Sequence, residues 1–439
     1  MTGPSRLANP LTRIPGGRDG RRMLLVTFVD RVGSGLWGAT AALYFTYATG
    51  LTTAEIGFLL AVSGAIGIAG PPLGGLLADR VPLRPLLVLV QAVRAVASLA
   101  LLTTVDLRLL LVIQAIGSLG DRASSVLTKL YATRVAGPDR ARYQAFNRTV
   151  ANSGWAVGGL AAAAALTVGT VPVYQWLLVG DALSFLASAL LTLRCAEPLS
   201  HSRVVTHTAT AQETGTRPGP EPGSARASAT TRAPNPWRDR RYLAYTASDA
   251  VLFLDDSVFK IGLPLWAVTA TSAPHQLVPL LLVLNNVLVV LFQVPFARFG
   301  ATPRAARDTL LPLAAAFLAG AAALAASAAG ARWAATAALI VAATAFTVAE
   351  MLHAAVSWEL SVALAPPTAQ GAYLGVHGLA QAIQRSAGPL AVTAAIAAGP
   401  VGWIVFGAGL AAVCGAQRHL VTDRGDGALS VPSVTVSEH

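Results

Sequence analysis

Charged side chains interrupt stretches of this sequence that are otherwise apolar. A charge at the centre of a hydrocarbon layer costs about 2.5 to 3.5 kcal/mol, so such residues must pair, bind protons or line water. A carboxyl group that is neutral when buried and ionised beside an arginine can take up and release a proton. We therefore predict proton coupling or substrate binding for Asp30, Arg31, Asp121, Arg122, Asp255, Asp256, Glu350 and Arg385.

Their spacing along a helix suggests different partners. Asp30 and Arg31 are consecutive and point about 100° apart, so we expect each to pair with another helix. Asp256 and Lys260 are four residues apart, which permits a local pair. Asp30 and Glu350 are the leading proton carriers, and Arg122 and Arg385 are candidate counter-charges or substrate clamps. The alternative is that these residues are permanently paired struts between helices.

A few further charges receive a structural interpretation. Arg94 and Lys129 are interpreted as side chains that pair or that extend toward the membrane surface. Asp181 is interpreted as structural. Glu350 and His353 have the Glu-x-x-His spacing of metal-binding bundles, but such sites use paired copies. With one copy present, we expect no metal and no other cofactor.

Helices of membrane-spanning length must position these residues. A helix needs roughly 20 apolar residues to cross a bilayer. We predict twelve spans, six on each side of one polar stretch, at 24–47, 54–78, 84–104, 107–132, 144–168, 172–194, 242–269, 276–297, 309–329, 332–357, 371–397 and 401–418.

The composition supports a membrane protein. Apolar residues make up 54% of the 439 residues and charged residues 12%, with a mean hydropathy of +0.58. A soluble domain has about 25% charged residues. The net charge of +11 comes from basic residues between apolar runs, which indicates contact with anionic lipid headgroups and not with nucleic acid.

The polar segments divide the chain and set its orientation. We predict an N-terminal segment 1–23, a helical bundle 24–194, a disordered linker 195–241 rich in Pro, Ser and Thr, a second bundle 242–418 and a tail 419–439. Connections on the linker side carry many arginines, whereas the opposite side has only Arg108 and Arg332. Both termini should therefore be cytoplasmic.

Other function classes find little support. The two cysteines, Cys195 and Cys414, have no metal-ligand spacing and predict neither a disulfide framework nor a zinc site. Phosphate-binding loops, nucleophile elbows and paired metal ligands do not occur in the sequence. We therefore predict that the protein is not an enzyme. Arginine far outnumbers lysine, which is typical of a GC-rich bacterial genome and indicates a bacterial plasma (inner) membrane.

One motif and an internal repeat resemble a known family. Asp30 precedes Arg80 much as Asp249 precedes Arg298, which suggests a duplicated six-helix unit. The run Gly75 to Arg84, GLLADRVPLR, resembles the loop 2-3 signature of the major facilitator superfamily, with Pro82 in place of the second glycine and Leu83 in place of an arginine. The resemblance implies an all-α, polytopic fold of twelve transmembrane helices in two six-helix bundles.

The same resemblance implies a gate. Gly75, Asp79, Arg80 and Arg84 would belong to the cytoplasmic network that holds the outward-open state. The alternative is that the three charges are solvated turn residues. Gly154 to Gly159 resembles the glycine-rich span-five signature of proton-coupled exporters without its proline.

Together these features predict a secondary active transporter that works by alternating access. We expect proton-coupled efflux, by an antiporter that acts as a monomer, of a small, partly apolar drug or secondary metabolite. Such activity would contribute to multidrug resistance. Uptake or facilitated diffusion is the alternative within transport, and a non-transporting receptor or scaffold is the alternative of another class.

Overall fold

The computed structural model describes residues 14–168, 170–198, 234–274 and 276–428. Within these ranges the chain forms α-helices with short 3₁₀ or π turns and no β-strand. Most of the predicted linker, residues 199–233, lies outside the described residues, as do residues 1–13 and 429–439.

The described helices, in chain order, are α1 Gly17–Tyr47, α2 Thr53–Gly67, α3 Gly70–Arg80, α4 Leu83–Ala100, α5 Leu107–Ala136, α6 Arg140–Leu166, α7 Val171–Leu193, α8 Arg240–Leu252, α9 Leu263–Ala270, α10 Leu277–Phe296, α11 Pro303–Ala326, α12 Arg332–Ala363, α13 Gln370–Ala397 and α14 Gly399–Ala428.

Each predicted span falls on a helix or on two consecutive helices. By length and composition, seven of the described helical segments could cross a membrane on their own, namely Ala54–Arg80, Leu83–Thr103, Val171–Leu193, Leu280–Gly300, Pro303–Ala326, Arg332–Ala363 and Gly399–Val421. The five other predicted spans are the ones at α1, α5, α6, α8 to α9 and α13, and all of them contain charged residues.

Local side-chain chemistry fixes several helix starts. At α2 the Thr52 hydroxyl accepts from the backbone N–H of Glu55, and the Glu55 carboxylate accepts from the backbone N–H of Thr52 at 2.8 Å. This reciprocal capping satisfies donors that a helix start leaves unpaired. Asp106 caps the start of α5, where its carboxylate accepts from the backbone N–H groups of Arg108 and Leu109.

Two predicted spans are broken helices. The second is interrupted between α2 and α3, where Pro71 and Pro72 lie at the start of α3. Proline is tolerated there because the first N–H groups of a helix have no partner within it. The seventh span passes from α8 through a 3₁₀ turn, Phe253–Asp255, and a π turn, Val258–Gly262, into α9. Because of these turns, side chains of this span point in other directions than they would on a continuous helix.

The described chain divides into two compact units. Unit 1 comprises Met1–Asp239 together with Ser361–Leu379, which are the end of α12 and the beginning of α13. One of its apolar clusters lies where α1, α2, α5 and α7 meet, and Tyr44 there donates to the carbonyl of Leu101 at 2.8 Å. The buried members of this cluster are Tyr44, Phe45, Leu51, Ile56, Leu59, Leu101, Leu110, Tyr174 and Leu178.

Unit 2 comprises Arg240–Leu360 together with Ala380–His439. Its largest buried side chains include Trp266 and Trp403, which pack edge to face with ring centroids 5.9 Å apart. The Trp266 indole donates to the carbonyl of Leu324 at 3.0 Å, so its polar atom is satisfied inside the bundle. Gly262 leaves room for this pair, because a Cβ there would lie 2.9 Å from the Trp403 ring.

Glycine allows α1 and α6 to pack at backbone contact in unit 1. A Cβ on Gly158 would lie 2.0 Å from the carbonyl oxygen of Val32, and one on Gly35 would lie 2.6 Å from that of Trp155. Small residues at such crossings give transmembrane helices their close contact. Gly159, the next residue, would meet nothing within 4 Å.

We therefore expect Gly158→Ala to lower the free energy of unfolding by about 1 to 3 kcal/mol, since the added methyl must push two backbones apart. Gly159→Ala is the matched control and should be neutral or slightly stabilising, because alanine favours helix. Thermal unfolding of both variants in one detergent measures the difference. Equal midpoints would show that α1 and α6 do not pack in this way.

Candidate functional site

A buried charge cluster lies in unit 1 among α1, α4, α5 and α7. The guanidinium of Arg94 contacts Asp30 through Nη1 at 2.5 Å and Asp121 through Nη2 at 2.9 Å. The Arg94 side chain is only 3% exposed and that of Asp30 8%. Gln91 holds the pair in place, since it accepts from Arg94 at 2.7 Å and donates to Asp30 at 3.3 Å.

Asp181 adds a third carboxyl group to this cluster. Its Oδ2 accepts a hydrogen bond from Ser98 at 2.7 Å, while its buried Oδ1 has no hydrogen-bond partner. Arg94 also lies over the ring of Phe185, 3.9 Å from the centroid, where the face of the ring attracts the cation. Three carboxyl groups thus lie near the Arg94 guanidinium, which carries a single positive charge.

The predicted partners of Asp30 and Arg31 need one correction. Asp30 pairs with another helix, as its spacing suggests, and its partner is Arg94. Arg31, however, also reaches its own neighbour, with Nε 3.8 Å from Asp30 Oδ2. The expectation that these two residues would not meet was wrong because the long arginine side chain can fold back.

Arg122 lies against the glycine face of α2, at Gly64 and Gly67.

A second buried cluster lies in unit 2 around His353 of α12. Its Nε2 is 3.2 Å from Asp249 Oδ1 and its Nδ1 is 3.7 Å from Asp255 Oδ2. Ser357 donates to Asp249 at 2.6 Å, and Gln417 of α14 lies 3.4 Å from the same carboxylate. This cluster also holds two carboxyl groups around one basic side chain.

The other unit 2 candidates each have their own contacts. Asp256 and Lys260 form the predicted local pair at 2.5 Å, with side chains 41% and 65% exposed. Glu350 accepts from Asn285 of α10 at 2.9 Å. Arg385 is exposed on α13. The structure therefore brings Asp255 into the buried cluster around His353, while Asp256 pairs with Lys260 and Glu350 with Asn285.

The predicted gate residues show a specific contact at Asp79. Its carboxylate accepts from the backbone N–H groups of Gly371 and Ala372, at 2.9 and 2.7 Å, and so caps the start of α13. An acidic side chain at a helix N-terminus is favoured by the helix dipole. Arg134 adds a contact at 3.9 Å. A Cβ on Gly75 would lie 2.1 Å from the Gly371 carbonyl oxygen, so glycine is required for this close approach.

Glu197 contacts the end of the Gly75 to Arg84 motif, where α4 begins. Its two carboxylate oxygens accept from the backbone N–H groups of Leu83 and Arg84, at 2.7 and 2.8 Å, and cap the start of α4. Tyr131 donates to the carbonyl of Ala196 at 2.7 Å and ties down the same segment. Arg80 is exposed at the end of α3. Glu197, in the segment after α7, is therefore hydrogen-bonded to the loop that carries the Gly75 to Arg84 motif.

Sequence reasoning missed several residues of these sites. Arg94 and Asp181 were interpreted as structural, and Asp249, His353 and Glu197 were not among the candidates. Two signals were available in the sequence. Asp249 repeats the position of Asp30 in the second half, and His353 lies between Glu350 and Ser357 on one helical stripe. Among the described residues, no group of three or more His, Cys, Asp and Glu side chains could hold a metal ion.

These contacts can be compared with known proteins. The profile described as the Major Facilitator Superfamily matches residues 23–389. The chain belongs to the major facilitator superfamily. It is accordingly an all-α, multi-pass membrane protein of a transporter family, and the predicted family and fold are confirmed. No match to curated proteins is found at the level of sequence.

Solved structures of several superfamily transporters are similar over nearly the whole chain. A bacterial homologue of the iron transporter ferroportin, in an outward-facing state with soaked iron, has 15% identity and a TM-score of 0.65, covering 92% of this chain and 99% of its own. The human organic anion transporter MFSD10 has 15% identity and a TM-score of 0.61, with 93% and 100% covered. The proton:xylose symporter XylE has 13% identity and a TM-score of 0.63, with 92% and 95% covered.

These identities show a shared fold and leave the substrate open. The three proteins carry the names of iron, organic anion and sugar transporters, so one superfamily architecture serves very different compounds. The side chains of this superfamily member, and not its neighbours' names, determine its substrate.

We expect Arg94→Gln to destabilise the protein by about 3 to 5 kcal/mol, because it leaves buried carboxylates without their cation. The double variant Arg94→Gln, Asp30→Asn should recover part of this loss. Arg304→Gln, which changes an exposed arginine, is the control. Thermal unfolding in detergent measures all three. A loss in Arg94→Gln no larger than in the control would show that the cluster is not a coupled charge network.

A second prediction concerns the segment held by Glu197. Burial raises the pKa of the neighbouring Cys195 thiol, so little reactive thiolate exists at neutral pH. Glu197→Gln removes one carboxylate acceptor, and exposure of Cys195 should return its pKa toward the ordinary value. We expect faster alkylation of Cys195 at neutral pH, measured by peptide mass spectrometry.

The matched control is within the same molecule. Cys414 is also a buried free thiol, but it lies in unit 2, so its alkylation should be unchanged by Glu197→Gln. In the unmodified protein, alkylation of Cys195 should rise as the pH rises toward its raised pKa. Equal Cys195 labelling in Glu197→Gln and the unmodified chain would show that Glu197 does not fasten this segment.

Proposed function

We propose that this chain is a proton-coupled exporter of a small, partly apolar compound and that it works by alternating access. The observation that carries the proposal is the cluster of Asp30, Asp121 and Asp181 around Arg94 in unit 1. Arg94 and Arg31 supply two positive charges to the three acids, so a third is needed inside the membrane protein, and a proton would supply it without a resident metal.

The exposure of the three acids suggests a route for that proton. The Asp121 side chain is 36% exposed, whereas Asp30 is nearly buried at 8% and Asp181 is 1% exposed. Asp121 is therefore the entry point. Protonation of Asp121 would free Nη2 of Arg94, and the unpartnered Oδ1 of Asp181 offers that nitrogen a new acceptor.

This exchange of partners links proton binding to a change of structure. Arg94 is on α4, Asp121 on α5 and Asp181 on α7, so a shift of the guanidinium from Asp121 toward Asp181 alters what joins these helices. In this proposal the predicted repeats, 24–194 and 242–418, are the bodies that move. The second cluster, Asp249, His353 and Asp255, gives the other repeat a similar set of groups.

The chemistry of the substrate follows from what surrounds the acids. Carboxylates with one arginine favour a compound that is neutral or cationic, and the apolar helices favour one with hydrocarbon surface. We propose a drug or secondary metabolite of this kind, carried across the plasma membrane of a bacterium by a monomer with both termini in the cytoplasm.

Proton-linked uptake is the second candidate. The observation that favours it is the run Gly154 to Gly159 in α6, which lacks the Gly-Pro step of the exporter signature. The same cluster could couple to protons in either direction, because reversing the direction requires only a different order of binding. Direction must therefore be measured.

We expect Asp30→Asn to abolish transport driven by a pH gradient, since the two remaining acids are then balanced without a proton. Downhill exchange of substrate should remain, because the contact between Arg94 and Asp121 is kept. A panel of toxic compounds tested on expressing cells identifies one that is exported. Its flux in inside-out vesicles, with and without a pH gradient, then gives the measurement. Asp139→Asn, an exposed acid beside α6, is the control.

Each result of this experiment has a clear meaning. Accumulation in inside-out vesicles that requires an acidic interior, and is lost in Asp30→Asn, supports export in exchange for protons. Gradient-driven entry into cells would establish uptake in its place. Flux that is independent of the gradient in both the unmodified chain and Asp30→Asn would refute proton coupling.

A further inference from the structure

A groove with entirely apolar walls lies in unit 1, next to the charge cluster around Arg94. It has a volume of about 410 Å³ and is lined by α2 to α5. All fifteen lining residues are aliphatic or glycine, and they include Leu77 on α3, Leu89 on α4, and Val112 and Gly120 on α5.

The shape of the groove comes from the size of its side chains. Its floor contains the small residues Gly74, Ala115, Gly120 and Ala123, whereas its edges carry larger side chains that are exposed. Gly120 is required there, because a Cβ on it would lie 2.9 Å from Cγ of Arg94. The floor of the groove therefore rests on the aliphatic part of Arg94.

The lining excludes a polar occupant. Binding sites for polar or drug-like compounds place a few hydrogen-bonding groups among apolar ones, and these groups fix the orientation of the ligand. No side chain in this lining can donate or accept a hydrogen bond. Hydrocarbon fits such a surface, and the exposed edges of a membrane-spanning bundle are in contact with lipid chains.

The exposed Arg80, near the groove residue Leu77, favours a lipid with an anionic headgroup. Arg80 is exposed and lies three residues beyond Leu77 of the lining, so both are on the same face of α3. An arginine at the end of a membrane-spanning helix binds phosphate well, because its donors match phosphate oxygens. We propose that the groove holds an acyl chain of an anionic phospholipid, with the lipid phosphate against Arg80.

This site has a consequence for the neighbouring charge cluster. The acyl chain would lie on Gly120, and Gly120 in turn lies on the stem of Arg94. Bound lipid therefore fills the space beside the helices that carry Asp121 and Arg94. The proposal stands independently of the transported substrate, because it rests on the groove and on Arg80 alone.

The test is native mass spectrometry of the purified full chain with added phosphatidylglycerol or phosphatidylcholine. We expect the protein to retain phosphatidylglycerol at a collision energy that removes phosphatidylcholine. Arg80→Gln should bring the retention of the two lipids to the same level. Leu89→Trp and Val112→Trp, which place a large ring at the exposed edges, should reduce retention of both.

Two variants serve as matched controls. Val96→Trp adds the same ring on α4 at an exposed position outside the groove, and Arg304→Gln removes an exposed arginine in unit 2. Both should bind lipid like the unmodified protein. Thermal unfolding of each variant in detergent shows that it is folded, and added phosphatidylglycerol should raise the midpoint of the unmodified protein but not that of Arg80→Gln.

Three results would overturn the proposal. The first is equal retention of the two lipids by the unmodified protein. The second is unchanged retention in Leu89→Trp and Val112→Trp. The third is displacement of phosphatidylglycerol by an exported toxic compound with no effect of Arg80→Gln, which would make the groove a substrate site.

Discussion

The neutralisation of Arg94 is the constraint on which unit 1 depends. A guanidinium that is 3% exposed inside a membrane bundle must have its charge balanced by acids on other helices, because neither water nor lipid can do so. Asp30, Asp121 and Asp181 meet this need and exceed it. The cluster therefore holds more carboxyl groups than Arg94 alone can balance.

Close packing supports this arrangement. Gly158 lets α1, which carries Asp30, approach α6, and Gly120 lets α5, which carries Asp121, approach Arg94. Gly75 does the same for α3 and the beginning of α13, where Asp79 caps the helix. A Cβ on Gly120 would lie 2.9 Å from Cγ of Arg94, and one on Gly75 would lie 2.1 Å from the Gly371 carbonyl oxygen, so glycine leaves room for the charged groups at these two crossings. The close packing of the helices and the pairing of their charged groups therefore depend on each other.

Most of the fold could be predicted from the sequence, whereas the charge partners could not. The length of an apolar run is a local property, so all twelve predicted spans fall on helices. The interruption of the second span at Pro71 and Pro72 was not predicted. The partner of Asp30 could not be predicted either, because Arg94 and Arg122 on other helices were both available and 64 residues separate Asp30 from the arginine that it contacts.

The sequence by itself determined that this protein lies in a membrane, that it is helical and that it keeps costly charges within its spans. These follow from composition and from spacing within single helices. Only the tertiary structure decided that Arg94 collects three acids, that His353 joins Asp249 to Asp255, and that Glu197 caps α4. Each of these contacts joins residues far apart in the chain, and their meeting depends on which helix faces pack, which is a property of the whole fold and of no single segment.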